Sequence, residues 1–270
     1  MLETDLLKKK FKELKQHNKC GFISFITAGD PDFDTSFRIL EKLPDVGVDI
    51  IELGMPFSDP MADGPTIQLS SNRAISKKIN LNHIFKLTAH AKKINSKVPI
   101  ILMGYYNLIL HFGIKEFVNN CVDFGVDGLI IVDLQPEEDN ELIKELNKKN
   151  INLIRLITPT TDESRLKLIL KNASGFLYYV SVMGTTGQKS ANISELKQSI
   201  MKIRNVTDLP IIPGFGIKDS TDVKNICKIS DGAVVGSSII KIIEENLNNE
   251  DMMIRKISKF TKDLKTGTEI

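Results

Sequence analysis

At 270 residues, 41% hydrophobic and 26% charged, the sequence has the composition of an ordinary soluble globular chain and is long enough for one large core. Its 36 basic and 34 acidic residues are spread along the chain and leave a net charge of +2, which excludes nucleic-acid binding through a dense basic face. No run approaches the length of a membrane span, and the opening MLETDLLKKKFKELKQ mixes both charge signs without the apolar centre of an export signal, so a soluble, cytoplasmic protein is expected. Cys20, Cys121 and Cys227 are odd in number, far apart and without CxxC or Cys/His spacing. Buried free thiols in a reducing compartment and no metal site are the expectation.

Taken in chain order, Leu7, Phe11 and Leu14 have helical spacing and predict a helix ahead of the first strand. GFISFIT (21–27) reads as that strand, and Phe37, Leu40 and Leu43 mark the helix after it. VDIIELG (48–54), VPIILMG (98–104) and VDGLIIVDL (126–134) are the next strands. The connection after 126–134 starts at Pro136, carries Glu137, Glu138 and Asp139 in its predicted first turn and ends in Lys148 and Lys149, matching a helix dipole at both ends. INLIRLIT (151–158) is followed by a helix with Leu166, Ile169 and Leu170 inward, and GFLYYVS (175–181), LPIIPGFG (209–216) and DGAVVGS (231–237) complete the series.

These runs are continuously apolar, as parallel strands buried on both faces are. Eight β/α units without a linker or change of composition predict one domain over residues 1–270, a (β/α)8 TIM barrel in preference to an open doubly wound sheet. Additional helices are expected after the second and eighth strands, and the end of the chain from about Thr266 is expected to fray.

In such a barrel the chemistry belongs at the C-terminal ends of the strands. Glu52 lies there, between Ile51 and Leu53 in an apolar strand. Burial of a carboxylate is costly unless it is paired or its pKa rises, so two readings stand: an ion pair with a cation from a neighbouring strand, or a general acid/base. The long loop GMPFSDPMADGPTIQ (54–68) adds Asp63, either a turn residue or cap for a helix beginning near Thr66, or a second functional carboxylate. Glycine turns follow three later strands, GTTGQK (184–189), PGFGIK (213–218) and VGSSII (235–240), with Ser237-Ser238 opening a helix. Each is a tight turn by itself; together they suit a phosphate held by backbone N–H groups and a helix N-terminus.

The run IIELGMPFSDPMADGPTIQ (50–68) resembles the signature of tryptophan synthase α subunits, and the likeness extends from GFISFITAGDP (21–31) to DGAVVGSSIIK (231–241). The resemblance implies a lyase that cleaves indole-3-glycerol phosphate by a retro-aldol reaction, with Glu52 and Asp63 as the catalytic pair. It implies that Phe25, Met103 and Ile130, which read alone as core, surround the indole, and that Tyr178 and Thr186 also meet the substrate. It assigns the phosphate to Gly187, Phe215, Gly216, Gly236 and Ser237, and makes GTTGQKS a mobile lid. Val182 stands where some members have Arg.

No cofactor is expected in this chain. The implied partner is a pyridoxal-phosphate-dependent β subunit, which receives indole through a tunnel within an α2β2 heterotetramer. The α-side contacts fall on Pro56, Asp59, Asn107 and the DLQPEE segment (133–138), where Gln135 replaces a common Pro. Two rivals are a different phosphate-binding barrel, which leaves ELGMPFSDPMADGP without a purpose, and a catalytically silent α-type subunit that only activates a β partner.

Overall fold

A computed structural model describes residues 5–180 and 189–269. Helix α1 (Leu6–Gln16) is capped by Asp5, whose carboxylate accepts the Lys8 N–H at 3.0 Å. Strand β1 (Gly21–Thr27), helix α2 (Phe33–Asp45) and strand β2 (Ile50–Gly54) follow, then α3 (Pro65–Ser76) and α4 (Leu81–Ile94). Strand β3 (Ile100–Gly104) leads to α5 (Tyr106–Phe112) and α6 (Ile114–Asp123), and β4 (Gly128–Ile131) to α7 (Asn140–Lys149). The chain continues through β5 (Asn152–Ile157), α8 (Glu163–Leu170), β6 (Leu177–Val180), α9 (Lys189–Arg204), β7 (Ile211–Gly214) and α10 (Ser220–Cys227). It ends with β8 (Gly232–Val235), α11 (Ser237–Glu244) and α12 (Glu250–Lys265).

All eight strands are parallel and close in sequence order, β8 pairing with β1. The TIM barrel and its extra helices before β1, after β2 and after β8 are therefore as the sequence predicts. A further pair after β3 was not expected; Gly113, at φ 95°, breaks one helical stretch into α5 and α6. No helix among the described residues is long and apolar enough to cross a membrane.

The barrel interior is built from successive pleats. Its lower ring is Ile23, Ile50, Ile101, Ile130, Ile154, Ile212 and Val234, one from each of seven strands, with Phe176 standing just ahead of β6. Leu7, Phe11 and Leu14 of α1 plug this ring from below, and the Phe11 ring meets Phe176 edge-on at 5.8 Å. Ile101 lies opposite Glu52 and Ile130 opposite Met103, so the register steps by one pleat across these seams, as strand tilt in a barrel requires.

The lower rim is tied by carboxylates that precede the strands. Asp49 accepts the Phe22 N–H at 2.9 Å and pairs with Lys265 at 2.5 Å; Asp127 accepts the Ile100 N–H at 2.7 Å and pairs with Lys92 at 2.6 Å. Asp231 accepts the Ile211 N–H at 2.9 Å and pairs with Arg204 at 3.0 Å. Each of these acids joins neighbouring strands and has its own cation.

Three expectations are corrected. Cys20 and Cys227 are not free thiols but a disulfide, with Cα atoms 5.5 Å apart although 207 residues separate them in the chain. Cys20 precedes β1 and Cys227 ends α10 ahead of β8, so closure of the barrel seam brings them together; Cys121 is a buried free thiol. The C-terminal segment from Thr266 is not frayed: it forms a 3-10 turn with Gly267 and Thr268 buried, and the Thr268 carbonyl accepts the Cys20 N–H at 3.1 Å. The acidic run 137–139 is not the first turn of α7, which begins at Asn140. Asp139 is fully buried there, paired with Arg155 of β5 and accepting from Asn172 at 3.2 Å, so its carboxylate answers a buried guanidinium.

Candidate active site

Two residues beyond each member of the lower ring, the chain presents its next inward-facing side chain. This upper ring is Phe25, Glu52, Met103, Val132, Leu156, Tyr178, Gly214 and Gly236, and all eight line one cavity of about 400 Å³ at the C-terminal mouth of the barrel. Asp63, Gly64 and Ile67 close it on one side; Phe215, Gly216, Ile217, Ser237 and Ser238 close it on another.

Glu52 is 0% exposed, and among the described residues neither carboxyl oxygen has a hydrogen-bond partner. The ion pair that sequence reasoning allowed is absent among the described residues. Burial, with the nearby charge of Asp63 adding to it, pushes its pKa up to about 8. At neutral pH Glu52 therefore carries a proton and sits near the midpoint at which a group gives and takes protons efficiently.

Asp63 is not the cap of α3: the N-cap is Gly64, and no side chain caps that end. Its half-buried carboxylate instead accepts a hydrogen bond from the Tyr105 hydroxyl at 3.2 Å. That hydroxyl in turn accepts the Ala62 N–H at 3.0 Å, and the Tyr105 ring stacks on Phe57 at 5.1 Å. The loop is closed further by Gln68, whose side-chain amide donates to the Asp63 carbonyl at 2.8 Å. Burial raises the Asp63 pKa, while the Tyr105 hydroxyl opposes the rise by bonding to the charged form. The two acids are thus held differently, one dry and unpartnered, the other at the wet edge with a donor.

On the glycine side, a Cβ at Gly214 would stand 2.8 Å from the Tyr178 ring, and one at Gly236 would stand 3.1 Å from Phe25. Glycine at these two ring positions gives the aromatic side chains their room. Gly236 is also the N-cap of α11 and makes no side-chain cap bond. The Ser238 hydroxyl donates to the Ile217 carbonyl at 2.7 Å, tying the first turn of α11 to the loop after β7. The exposed Ser237 hydroxyl and the first-turn backbone of α11 face the cavity mouth, an arrangement suited to an anion. Tyr178, below them, is held well above the ordinary tyrosine pKa by burial and by the charges of Glu52 and Asp63, so its hydroxyl stays neutral.

A family model described as tryptophan synthase alpha chain matches residues 11–269. The chain belongs to that family. Among solved structures, tryptophan synthase subunit alpha from Legionella pneumophila is 32% identical with a TM-score of 0.92, covering 98% of this chain and 99% of that one. A protein from Aquifex aeolicus is also 32% identical, with a TM-score of 0.90 over 99% of this chain and 100% of its own. Tryptophan synthase from Mycobacterium tuberculosis, at 24% identity and TM-score 0.88 over 98% of this chain and 100% of that chain, shares the fold.

Within this tryptophan synthase α-chain frame, Glu52, Asp63, Phe25, Met103, Tyr178, Phe215, Gly216, Gly236 and Ser237 all meet at the one cavity. Ile130 does not. It is fully buried in the lower ring, one pleat too deep, and Val132 takes the place expected of it. Thr186, Gly187 and Val182, with residues 184–188 of the expected lid, lie outside the described residues. Of the residues expected to meet a partner, Asp59, Asn107 and Gln135 are exposed, whereas Pro56 is buried within this chain. Gln135 accepts from Arg165 of α8 at 2.5 Å, and Arg165 also pairs with Glu137, so the 133–138 segment is tied down from α8. Sequence reasoning missed Tyr105, Leu156 and Val132. Val132 and Leu156 follow by counting two residues up only once strand register has fixed the lower ring; Tyr105 has no local signal, because its partner lies 42 residues away.

Proposed function

We propose that this chain cleaves indole-3-glycerol phosphate to indole and glyceraldehyde 3-phosphate, and that it hands the indole to a β subunit. Family membership supports a role in tryptophan biosynthesis beside such a partner. The observation that carries the specific reaction is Glu52: a fully buried, unpartnered carboxyl with a pKa near 8, in a cavity whose other acid is the hydroxyl-bonded Asp63.

In this reading the indole occupies the apolar part of the upper ring, among Phe25, Met103, Val132 and Leu156, and the phosphate lies toward Gly216, Gly236 and Ser237. Protonated Glu52 delivers its proton to C3 of the indole. The resulting positive charge on the ring nitrogen is met by the half-buried Asp63 carboxylate, which accepts the N–H. Glu52, now ionised, takes the proton of the side-chain hydroxyl on the carbon joined to C3. That oxygen becomes a carbonyl, the carbon–carbon bond breaks, and its electron pair restores the aromatic ring. Glu52 ends protonated, ready for the next turnover.

The two carboxylates need different protonation states, and their surroundings provide them: Glu52 dry, Asp63 half-buried with a donor. Thr186 and Gly187 complete the site in this proposal by closing over it. The expected partner contacts fall on the rim residues Asp59, Asn107 and Gln135. Pyridoxal phosphate belongs to the β subunit of the α2β2 assembly, where indole is joined to its second substrate.

The test is release of indole from indole-3-glycerol phosphate by the purified chain, alone and with a tryptophan synthase β subunit. Release that rises on addition of the β subunit is expected. No release under either condition would overturn the reading in favour of a silent α-type subunit.

A further inference from the structure

The helices that carry the two sides of the cavity are joined at their far ends. Helix α3 begins beside Asp63, and α11 begins at Gly236; the two helices pack along one another. Near the C-terminal end of α3, Arg73 grips Asp30 with two bonds, Nε to Oδ1 at 2.6 Å and Nη2 to Oδ2 at 2.9 Å. Its remaining nitrogen reaches Glu244, the last residue of α11, at 3.9 Å. Asp30 is 1% exposed in the loop after β1, and the end of β1 is itself tied to α3, because the hydroxyls of Thr27 and Ser70 are 2.6 Å apart.

A planar guanidinium that holds one carboxylate through two bonds fixes direction as well as distance, which a lysine ammonium does not. The cation is shared by two anions on different elements. Burial raises the Asp30 pKa, while the bond and charge of Arg73 pull it back, so the pair is mutually dependent.

We propose that Arg73 is a positioning residue, which through Asp30 and Glu244 fixes α3 against α11 and thereby the spacing of Asp63 from the N-terminus of α11. This rests on the reading that one substrate spans those two sides, with its ring at the carboxylates and its phosphate at α11. Turnover of a substrate that spans both sides then depends on Arg73, and binding of a ligand that touches one side does not.

The experiment compares wild type with Arg73→Lys and Glu244→Gln, measuring indole release, the affinity for inorganic phosphate and the thermal transition. Displacement of a reacting group by about 1 Å costs on the order of a hundredfold, so Arg73→Lys is expected to lower kcat by about 10- to 100-fold with KM and phosphate affinity within about threefold of wild type. Glu244→Gln, which weakens the longer contact, is expected to lower kcat by roughly two- to fivefold. A wild-type kcat in Arg73→Lys overturns the proposal. So does a loss of phosphate affinity in step with kcat, which would mean general loosening of the fold. Absence of indole release by wild type would instead defeat the substrate reading. Crystal structures of wild type and Arg73→Lys then decide the positioning claim by themselves: a changed separation between Asp63 and Gly236 supports it, and an unchanged one overturns it.

Discussion

The lower and upper rings of this barrel are one pleat apart and are built to opposite specifications. Below, seven aliphatic side chains and Phe176 fill the interior, α1 seals it, and the rim acids Asp49, Asp127 and Asp231 each hold a neighbouring strand and a cation. Above, the same eight strand positions advanced by two residues carry Phe, Glu, Met, Val, Leu, Tyr and two Gly around a cavity. Glu52, the carboxyl of that ring, has no hydrogen-bond partner among the described residues. The lower ring is arranged for stability, and the upper ring accepts an unfavourable burial that raises the Glu52 pKa.

Substitutions in the two rings should therefore separate stability from turnover. The largest effect belongs to Glu52→Gln, expected to lower kcat by about 10³-fold or more while phosphate affinity stays near wild type, since an amide cannot exchange a proton. Retained turnover in a steady-state indole assay would remove Glu52 from the chemistry. Asp63→Asn is expected to cost about 10²- to 10³-fold, the scale of losing one charge-stabilising group; activity near wild type would leave Asp63 as a loop residue.

The reverse pattern is expected below. Ile212→Ala should destabilise the fold by about 2–5 kcal/mol in denaturant unfolding, the cost of a large-to-small change in a filled core, while kcat measured below the transition stays within a few-fold. A large loss of kcat with unchanged stability would erase the distinction between the rings. The smallest effect is expected from Tyr105→Phe. Loss of one hydrogen bond to the charged form should raise the Asp63 pKa further and lower kcat by roughly three- to tenfold, shifting the acid limb of the pH profile upward. An unchanged profile would mean that the Tyr105 hydroxyl does not tune Asp63.

How much of this was legible in the sequence follows from the same contrast. Parallel strands buried on both faces leave continuous apolar runs, so all eight were visible, and Glu52 stood out because a carboxylate interrupts one of them. What local pattern could not convey was depth along the barrel. Ile130 and Val132 lie in one strand run with the same facing, and only the register of β4 against its neighbours assigns the first to the core and the second to the cavity. Long-range closure was equally hidden: Cys20 meets Cys227, and Cys20 also meets Thr268, because the barrel seam joins the two ends of the chain. Asp139 was misread for a related reason, since its partner Arg155 comes from the next strand and outweighs the local preference for an acid in a helix's first turn. Asp63 shows the opposite case. Its local explanation as a cap was reasonable, and Gly64 occupies that position instead.

The central claim, that Glu52 is a protonated buried acid poised to exchange its proton, is tested most directly by the titration of its carboxyl carbon in glutamate-labelled protein by NMR, the signal being identified by its loss in Glu52→Gln. Raised from an ordinary glutamate value of 4.5, the group should titrate at about pH 8. Stability should then fall as pH rises from about 4.5 to 8, because the unfolded chain ionises Glu52 first, and Glu52→Gln should flatten that slope. A carboxyl titrating between about 4 and 5 would contradict the account, since Glu52 would then be ionised at neutral pH with no proton to deliver.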